Sequence, residues 1–443
     1  MKRIFKHIYL EFRFFAALMV FAFLFLMAYQ FPGLLAVSIM LFGVFLGLVL
    51  IDSILLFKQN GIDAERLLPE KLSNGDENPI EIRLKNTYNY KVTLKLIDEM
   101  PFQYQKRDFE IDTQLDKLTD KKITYTLRPL ERGEYHFGNL NVFATSPIGF
   151  ITRRFQFGND AMVPNYPSFL QLKKYMLLAF SNKIFEFGLK KIRRIGHTME
   201  FEQIKDYVQG DDIRNINWKA TAKRGQLMVN QFQDERSQPI YSVIDKGRAM
   251  KMPFNGLSLL DYAVNATLVI SNVALKKQDK AGMFAFSRKI ANKVVAERRP
   301  SQMNQIMETL YNLDTDFSES DFSRLYIDVK RSLNQRSLLL LYTNFETLDA
   351  LHRQLPYLQA IAKHHVLVVI FFENTELDKL TQKESRNTFE IFEKTIAEKF
   401  VYEKKLIINE LQKHGIQSIL TPPEDLTLNT INKYLEIKAR GLI

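Results

Sequence analysis

Residues 207–225 read YVQGDDIRNINWKATAKRG and hold the densest set of polar side chains in the chain. Two adjacent carboxylates, Asp211 and Asp212, stand with Arg214, Lys219, Lys223 and Arg224, and with Trp218, the sole tryptophan. Paired carboxylates can divide general acid and base work or hold a divalent cation. Side chains of adjacent residues diverge, however, and no histidine or second acid pair stands nearby in sequence to complete such a site. A structural use competes with chemistry. Gly210 permits a tight turn, an aspartate after it caps what the turn opens, Arg214 forks onto a carboxylate, and Trp218 anchors the segment against a core. Tryptophan and arginine also concentrate at the energetic centres of interfaces, where charges of both signs set orientation. The segment is therefore read as a clasp between two domains that a partner can also recognise, with Gly210, Asp211, Asp212, Arg214, Trp218 and Lys219 as its site residues. The rival reading is a metal-dependent hydrolase using Asp211, Asp212 and Asp245.

A clasp needs bodies to join, and 443 residues suffice for two or three domains. The absence of cysteine excludes a disulfide framework, a thiol nucleophile and Cys-based zinc or iron–sulfur sites, and it fits a reducing compartment. A net charge of +11 suits nucleic acid or an anionic membrane. No basic tail, aromatic platform or reading helix concentrates that charge, so no nucleic-acid role is expected. GLKKIRRIG (188–196) gathers four basic residues and is read as a solvated face, with anionic lipid as its second use. The chain contains no G-x-x-x-x-G-K-[ST], H-E-x-x-H or G-x-S-x-G, and no cofactor is expected.

From Phe14 to Phe57 the only charged residue is Asp52. That run is roughly twice the ~20 apolar residues that carry one helix across a bilayer. YQFPG (29–33) splits it with proline and glycine, which predicts a transmembrane helical hairpin with spans at 12–30 and 34–57. The apolar region is too long for a cleaved signal peptide, and no small-residue cleavage motif follows the first span. Lys2, Arg3, Lys6 and Arg13 precede the first span and Lys58 and Arg66 follow the second, while the connection carries no charge. The positive-inside rule then puts both ends, and everything after residue 58, in the cytoplasm of a two-pass protein. Asp52 lies near the end of the second span, where a carboxylate reaches the interface.

Three stretches alternate apolar and polar residues: PIEIRLKN, KVTLKLID and ITYTLRP. Period two with branched and aromatic residues predicts half-buried strands, and turn signals at SNGDENP (73–79) and ERGEYHFG (131–138) space them as in a small β-sandwich over 59–165. His136 falls between Tyr135 and Phe137, and a packing role is expected of it. Residues 166–236 are read as a linker carrying the clasp. Beyond 237 the pattern alternates strand and helix. PIYSVID, AGMFAFS, SLLLLYTNF and VLVVIFFE predict strands; helices are expected at 258–277, 301–313, 347–364, 376–414 and 427–440. The expected architecture is thus multi-domain, ending in a doubly wound α/β domain over 237–443. Ligands of such sheets bind beyond the strands' C-terminal ends, which directs attention to Asp245, Thr343 and Asn344.

The stretch FEQIKDYVQGDDIRNINWKATAKRGQLMVNQFQDE (201–235), followed by IDKGRAM (244–250), resembles the bacterial family called domain of unknown function 58. Its pattern there is roughly E-F-x-x-x-R-x-Y-x-x-G-D-D-x-R-x-I-D-W-K-x-x-A-R. Glu200, Phe201, Tyr207, Gly210, Asp211, Asp212, Arg214, Ile216, Trp218, Lys219 and Ala222 match it; Lys205 and Lys223 replace arginine and Asn217 replaces aspartate. The resemblance extends to the anchor, to RPLERGEYHFGNLNVFATSPIGF (128–150) and to the α/β half. It implies an interaction module similar to the von Willebrand factor type A domain, in the bacterial inner membrane. It further implies association with MoxR-type AAA+ ATPases in a chaperone-like or assembly system, and no enzymatic activity carries over. In type A domains a D-x-S-x-S stretch holds a cation such as Mg²⁺; the same register here gives Asp245, Gly247 and Ala249, and the later T-D pair becomes Thr343–Asn344. Asp245 is accordingly expected to cap the backbone turn after it, with a divalent cation as the alternative.

Overall fold

The period-two stretches and the continuous apolar runs each find their sheet in the computed structural model of the chain. It describes residues 7–443 apart from 32, 107, 159, 171–199, 210, 234–236 and 384–386. The basic stretch 188–196 and Gly210 therefore lie outside the described residues. Two compact units are present, Met1–Tyr166 and Pro167–Ile443.

In the first unit a short strand, β1 (Ile8–Leu10), leads into α1 (Phe12–Gln30) and α2 (Leu34–Phe57). Both helices are long and apolar enough to cross a membrane. Most of their large side chains, among them Phe12, Met19, Phe23, Met40 and Leu50, are exposed, unlike those of a soluble protein's core helix. The strands that follow are β2 (Ile62–Leu67), β3 (Leu72–Ser73), β4 (Asn78–Asn86), β5 (Val92–Asp98), β6 (Glu110–Leu115), β7 (Asp120–Leu127), β8 (Gly133–Phe137), β9 (Leu140–Thr145), β10 (Ile151–Phe157) and β11 (Ala161–Tyr166). They form sheets ordered β1-β10-β9-β5-β6, β2-β4-β7 and β3-β11-β8. Alternate residues such as Ile80, Ile82 and Leu84, or Val92, Leu94 and Leu96, are buried, as the alternation predicts. Two expectations give way here. ERGEYHFG carries β8 as well as a turn, and His136 faces solvent beside Glu134 while Tyr135 and Phe137 are buried.

The helices are built into the sheets. β1 pairs antiparallel with β10, Tyr9 opposite Thr152. Asp52 is buried; it accepts from the Ser146 hydroxyl and from the backbone N–H groups of Phe150 (2.9 Å) and Ile151 (3.0 Å). The last carbonyls of α2, orphaned by the end of the helix, accept from Tyr90 (onto Leu55, 3.0 Å), Tyr88 (onto Leu56, 2.7 Å) and Arg153 (onto Leu56, 2.6 Å). Asp52 is thus a structural tie to the β10 loop rather than a carboxylate reaching for solvent.

The second unit contains a hairpin, β12 (Glu200–Asp206) and β13 (Met228–Gln233), joined through a short helix, α3 (Trp218–Arg224). The segment read as a linker therefore has a fold of its own. Next come β14 (Pro239–Asp245), the small hairpin β15 (Pro253–Phe254) and β16 (Leu257–Ser258), α4 (Leu259–Lys276), β17 (Lys280–Phe286) and β18 (Ile290–Glu297). After α5 (Gln302–Tyr311) and α6 (Phe322–Ser332) the chain alternates through β19 (Leu338–Tyr342), α7 (Leu348–Ala362), β20 (Val366–Phe372), α8 (Thr375–Gln382), α9 (Thr388–Lys413), β21 (Gln417–Thr421) and α10 (Leu426–Ala439). The six-stranded sheet runs β18-β17-β14-β19-β20-β21, parallel except for β18. Its strands are buried on both faces because helices cover both. Ile240, Leu340 and Val368 join one core with α4, α5 and α10; Val243, Leu341 and Val369 join the other with α6, α7 and α9. Beyond residue 237, the hairpin β15–β16, β18, α6 and β21 were not anticipated. The single helix expected at 376–414 is two, α8 and α9.

Candidate functional site

The 207–225 segment satisfies its own polar groups. Asp211 accepts the Val208 N–H (3.0 Å) and the Lys205 ammonium (2.9 Å), which hold its carboxyl below the usual carboxylate range. Asp212 accepts the Arg214 N–H (3.0 Å) and so caps the turn Ile213–Asn215. Asn217 caps α3 through Ala220 N–H (3.0 Å), which needs an acceptor oxygen and not a charge. Its amide also donates to Asn230 (2.8 Å), which an aspartate could not do. Gly225, at φ +71°, ends the helix in the left-handed conformation.

The two carboxylates therefore point to different partners and form no acid pair. Arg214 makes no fork: its nitrogen stands 3.6 Å from Asp212 and its side chain is almost fully in solvent. Trp218 does not anchor the segment in a core either, being 68% exposed, and Val208 and Ile213 are exposed with it. The reason is local. The caps and the β12–β13 pairing fold the segment without using its large apolar side chains, which are left outward. Lys219, also exposed, lies on α3 beside Trp218.

The second candidate lies where the strand order reverses, between β14 and β19, at their C-terminal ends. Asp245 is buried there, and burial pushes its carboxyl up. Three donors face it: the Ser320 hydroxyl, the Thr343 hydroxyl (2.7 Å) and the Gly247 N–H (2.8 Å). Asn344 accepts from Lys404 of α9 (2.6 Å), whose ammonium also reaches the Phe345 carbonyl (2.6 Å). A cavity of ≈ 420 Å³ opens above Asp245, with Arg248, Glu319, Glu346 and Arg353 among its lining.

These residues do not fit a hydrated dication. The Asp245 carboxylate is already met by three donors, and a cation, Lys404, stands on the neighbouring amide oxygen. Among the described residues no group of three or more histidine, aspartate or glutamate side chains gathers to hold a metal. Gly247 explains the departure from D-x-S-x-S. A Cβ there would collide with the Ser320 hydroxyl and lie 3.0 Å from the Ser318 carbonyl. Ser320, carried by the loop before α6, fills the space a serine at 247 would need. Sequence reasoning missed Ser320 and Lys404 because each reaches the crevice from far along the chain, with no local signal. Asp245 does cap the following turn, as expected, through Gly247.

Comparison with known proteins gives the segment a wider setting. The uncharacterized protein YeaD of Bacillus subtilis (strain 168) is 24% identical over 260 residues, covering 57% of this chain and 63% of its own length. The chain thus spans less than two thirds of that relative. Among solved structures, a PapD-like domain of human CEP192 is 15% identical over 23% of this chain and 86% of its own, with a TM-score of 0.17. A CARDB domain from Pyrococcus furiosus is 12% identical over 24% of this chain and 86% of its own, with a TM-score of 0.16. Scores this low support no argument about fold or function. Most of the hairpin, its exposed motif and the sheet as far as the start of α9 fall within one match: residues 203–388 are similar to the family described as protein of unknown function DUF58.

Proposed function

We propose that the chain is a membrane-anchored scaffold that faces the cytoplasm and docks a partner protein through the 207–225 segment. The observation that carries this reading is the outward Trp218, exposed along with Val208 and Ile213 of the same segment on a frame fixed by its own hydrogen bonds. A segment serving stability alone would bury its tryptophan, whereas an interface centre presents one on a rigid base. The partner suggested by the family resemblance is a MoxR-type AAA+ ATPase, in a chaperone-like or assembly role. The sheet order, with the one antiparallel strand, β18, at the edge, and Asp245 at the end of the central strand β14 are consistent with a type A-like interaction module whose metal position has been replaced by internal hydrogen bonds. The test is crosslinking in native membranes followed by mass spectrometry, with Trp218→Ala, Asp212→Ala and Arg214→Ala beside the wild type. Capture of such an ATPase by the wild type and its loss from folded variants is the expected result. Capture that survives Trp218→Ala contradicts the assigned surface.

The anchor is read as a bacterial inner-membrane hairpin with both ends on the cytoplasmic side. Support comes from β1, which precedes α1 and yet pairs with β10 beyond α2, so the two ends of the hairpin meet on one sheet. The flanking lysines and arginines favour the cytoplasm for that side. Because the chain lacks cysteine, single-cysteine labelling is clean. An impermeant maleimide added to intact spheroplasts should label Phe31→Cys and spare Gln59→Cys. The reverse pattern overturns the orientation.

A further inference from the structure

Helix α9 is longer than the sheet it packs on. Its 26 residues reach about 39 Å at about 1.5 Å each, whereas the seven residues of β20 reach about 23 Å. Ile407 and Leu411 seat its C-terminal half in the core with Val369 and Phe371. Phe400 and Lys404 stand level with Phe372 and Glu373, at the C-terminal end of β20. The first three turns of α9 therefore continue past the strand's end. The helix face that carries Ile407 stays apolar there. Phe389, Phe392, Ile396 and Phe400 follow one another at helical spacing and all are exposed, Phe392 by 66%, with Leu380 of α8 exposed as well. Single exposed apolar residues are ordinary, but a stripe of four in register is not. All four lie beyond the 203–388 family match.

At Phe400 the stripe runs into a cavity of ≈ 470 Å³ lined by Met252, Phe254, Leu259, Phe372 and Leu377. Three carboxylates, Glu346, Glu373 and Glu376, stand around it; Lys404 acts on Glu346 and Lys405 on Glu373 through space, with no salt bridge to any of the three among the described residues. The one cation in the lining, Lys404, is turned inward onto Asn344 and the Phe345 carbonyl.

We propose that the stripe and this cavity form a docking groove for an amphipathic helix of a partner protein, its apolar face in the groove and basic residues on its flank beside Glu346, Glu373 and Glu376. Charge selects this occupant. Anionic lipid would meet the three glutamates, and a second copy of α9 would bring interleaved glutamate and lysine (Glu390, Glu393, Lys394, Glu398, Lys399) rather than a basic flank. The groove is separate from Trp218 and stands whether or not the ATPase partnership does.

The experiment uses the full chain in nanodiscs of neutral lipid and a fluorescein-labelled amphipathic peptide of about 16 residues with leucine and phenylalanine on one face and lysine flanks. A twin peptide keeps the apolar face and carries glutamate flanks. Fluorescence anisotropy should show the basic peptide binding at least about tenfold tighter than its twin, and losing about tenfold on Phe392→Asp and several-fold on Glu373→Gln/Glu376→Gln. Phe392 lies outside the core, so its variant keeps the fold; the double glutamine variant tests the charge without touching the stripe. Equal binding of the two peptides, or binding unchanged in both variants, overturns the proposal. So does a wild-type dimer, seen by light scattering, that Phe392→Asp dissociates, since the stripe would then be covered by a second copy.

Discussion

The two aspartate sites of the second unit solve the same problem in opposite surroundings. Asp245 and the pair Asp211–Asp212 each meet donors from their own neighbourhood, and neither is left as a free acid for chemistry. Asp245 does so in a buried crevice, where each lost partner leaves an unsatisfied group in low dielectric. Asp211 and Asp212 do so at the surface, where water replaces a lost partner at little cost. The comparison teaches that identical side chains carry stability in one place and only local shape in the other. What the surface shape presents is Trp218, the element proposed above for recognition.

The largest effect should come from the buried site. Asp245→Ala strands the hydroxyls of Ser320 and Thr343 and the Gly247 N–H, and should cost about 3 kcal/mol in thermal unfolding of the purified chain. Ser320→Ala removes one donor and should cost about 1 kcal/mol. At the surface, Asp212→Ala gives up a single cap, about 1 kcal/mol at most, and Trp218→Ala should change stability by no more than about 0.5 kcal/mol. A Trp218→Ala chain as unstable as Asp245→Ala would break the comparison outright.

A smaller effect sharpens the account of the crevice. Burial lowers the Lys404 ammonium to about 8, against an ordinary value near 10.5. Between those values the unfolded chain binds a proton that the folded chain has released, so stability should rise with pH from about 8 to about 10.5. In Lys404→Met that rise should disappear, as read from unfolding midpoints across the window. A slope of the same size in the variant assigns the effect to another group.

Much of the fold was legible because its signals are local. The apolar run broken at residues 29–33 gave two helices with the observed bounds, and Ser258 with Asp261 starts α4 as a reciprocal cap. Continuous apolar runs marked β19 and β20 because a sheet covered on both faces needs no alternation. β21 escaped notice: QSILT is short and only half-buried at the sheet's edge. β18 alternates weakly and is tied to β17 as an antiparallel hairpin inside an otherwise parallel pattern. In the site, adjacency argued against an acid pair, and Asp211 and Asp212 do meet different partners; the register drew attention to Gly247 and Asn344. The partners of those positions, Ser320 and Lys404, are 75 and 60 residues removed along the chain from Asp245 and Asn344 and become neighbours only through the sheet. The outward Trp218 was equally hidden, since tryptophan alone reads as a core anchor until the caps around it are seen to do that work.

One measurement bears most directly on the claim that the segment serves recognition. A photo-crosslinking phenylalanine analogue placed at position 218 would be activated in native membranes, with Leu118 on the exposed surface of the first unit as the control position. A crosslink to an AAA+ ATPase from 218 and none from 118 is the predicted result. Crosslinks from 218 confined to this chain itself, or equal capture from both positions, would contradict it.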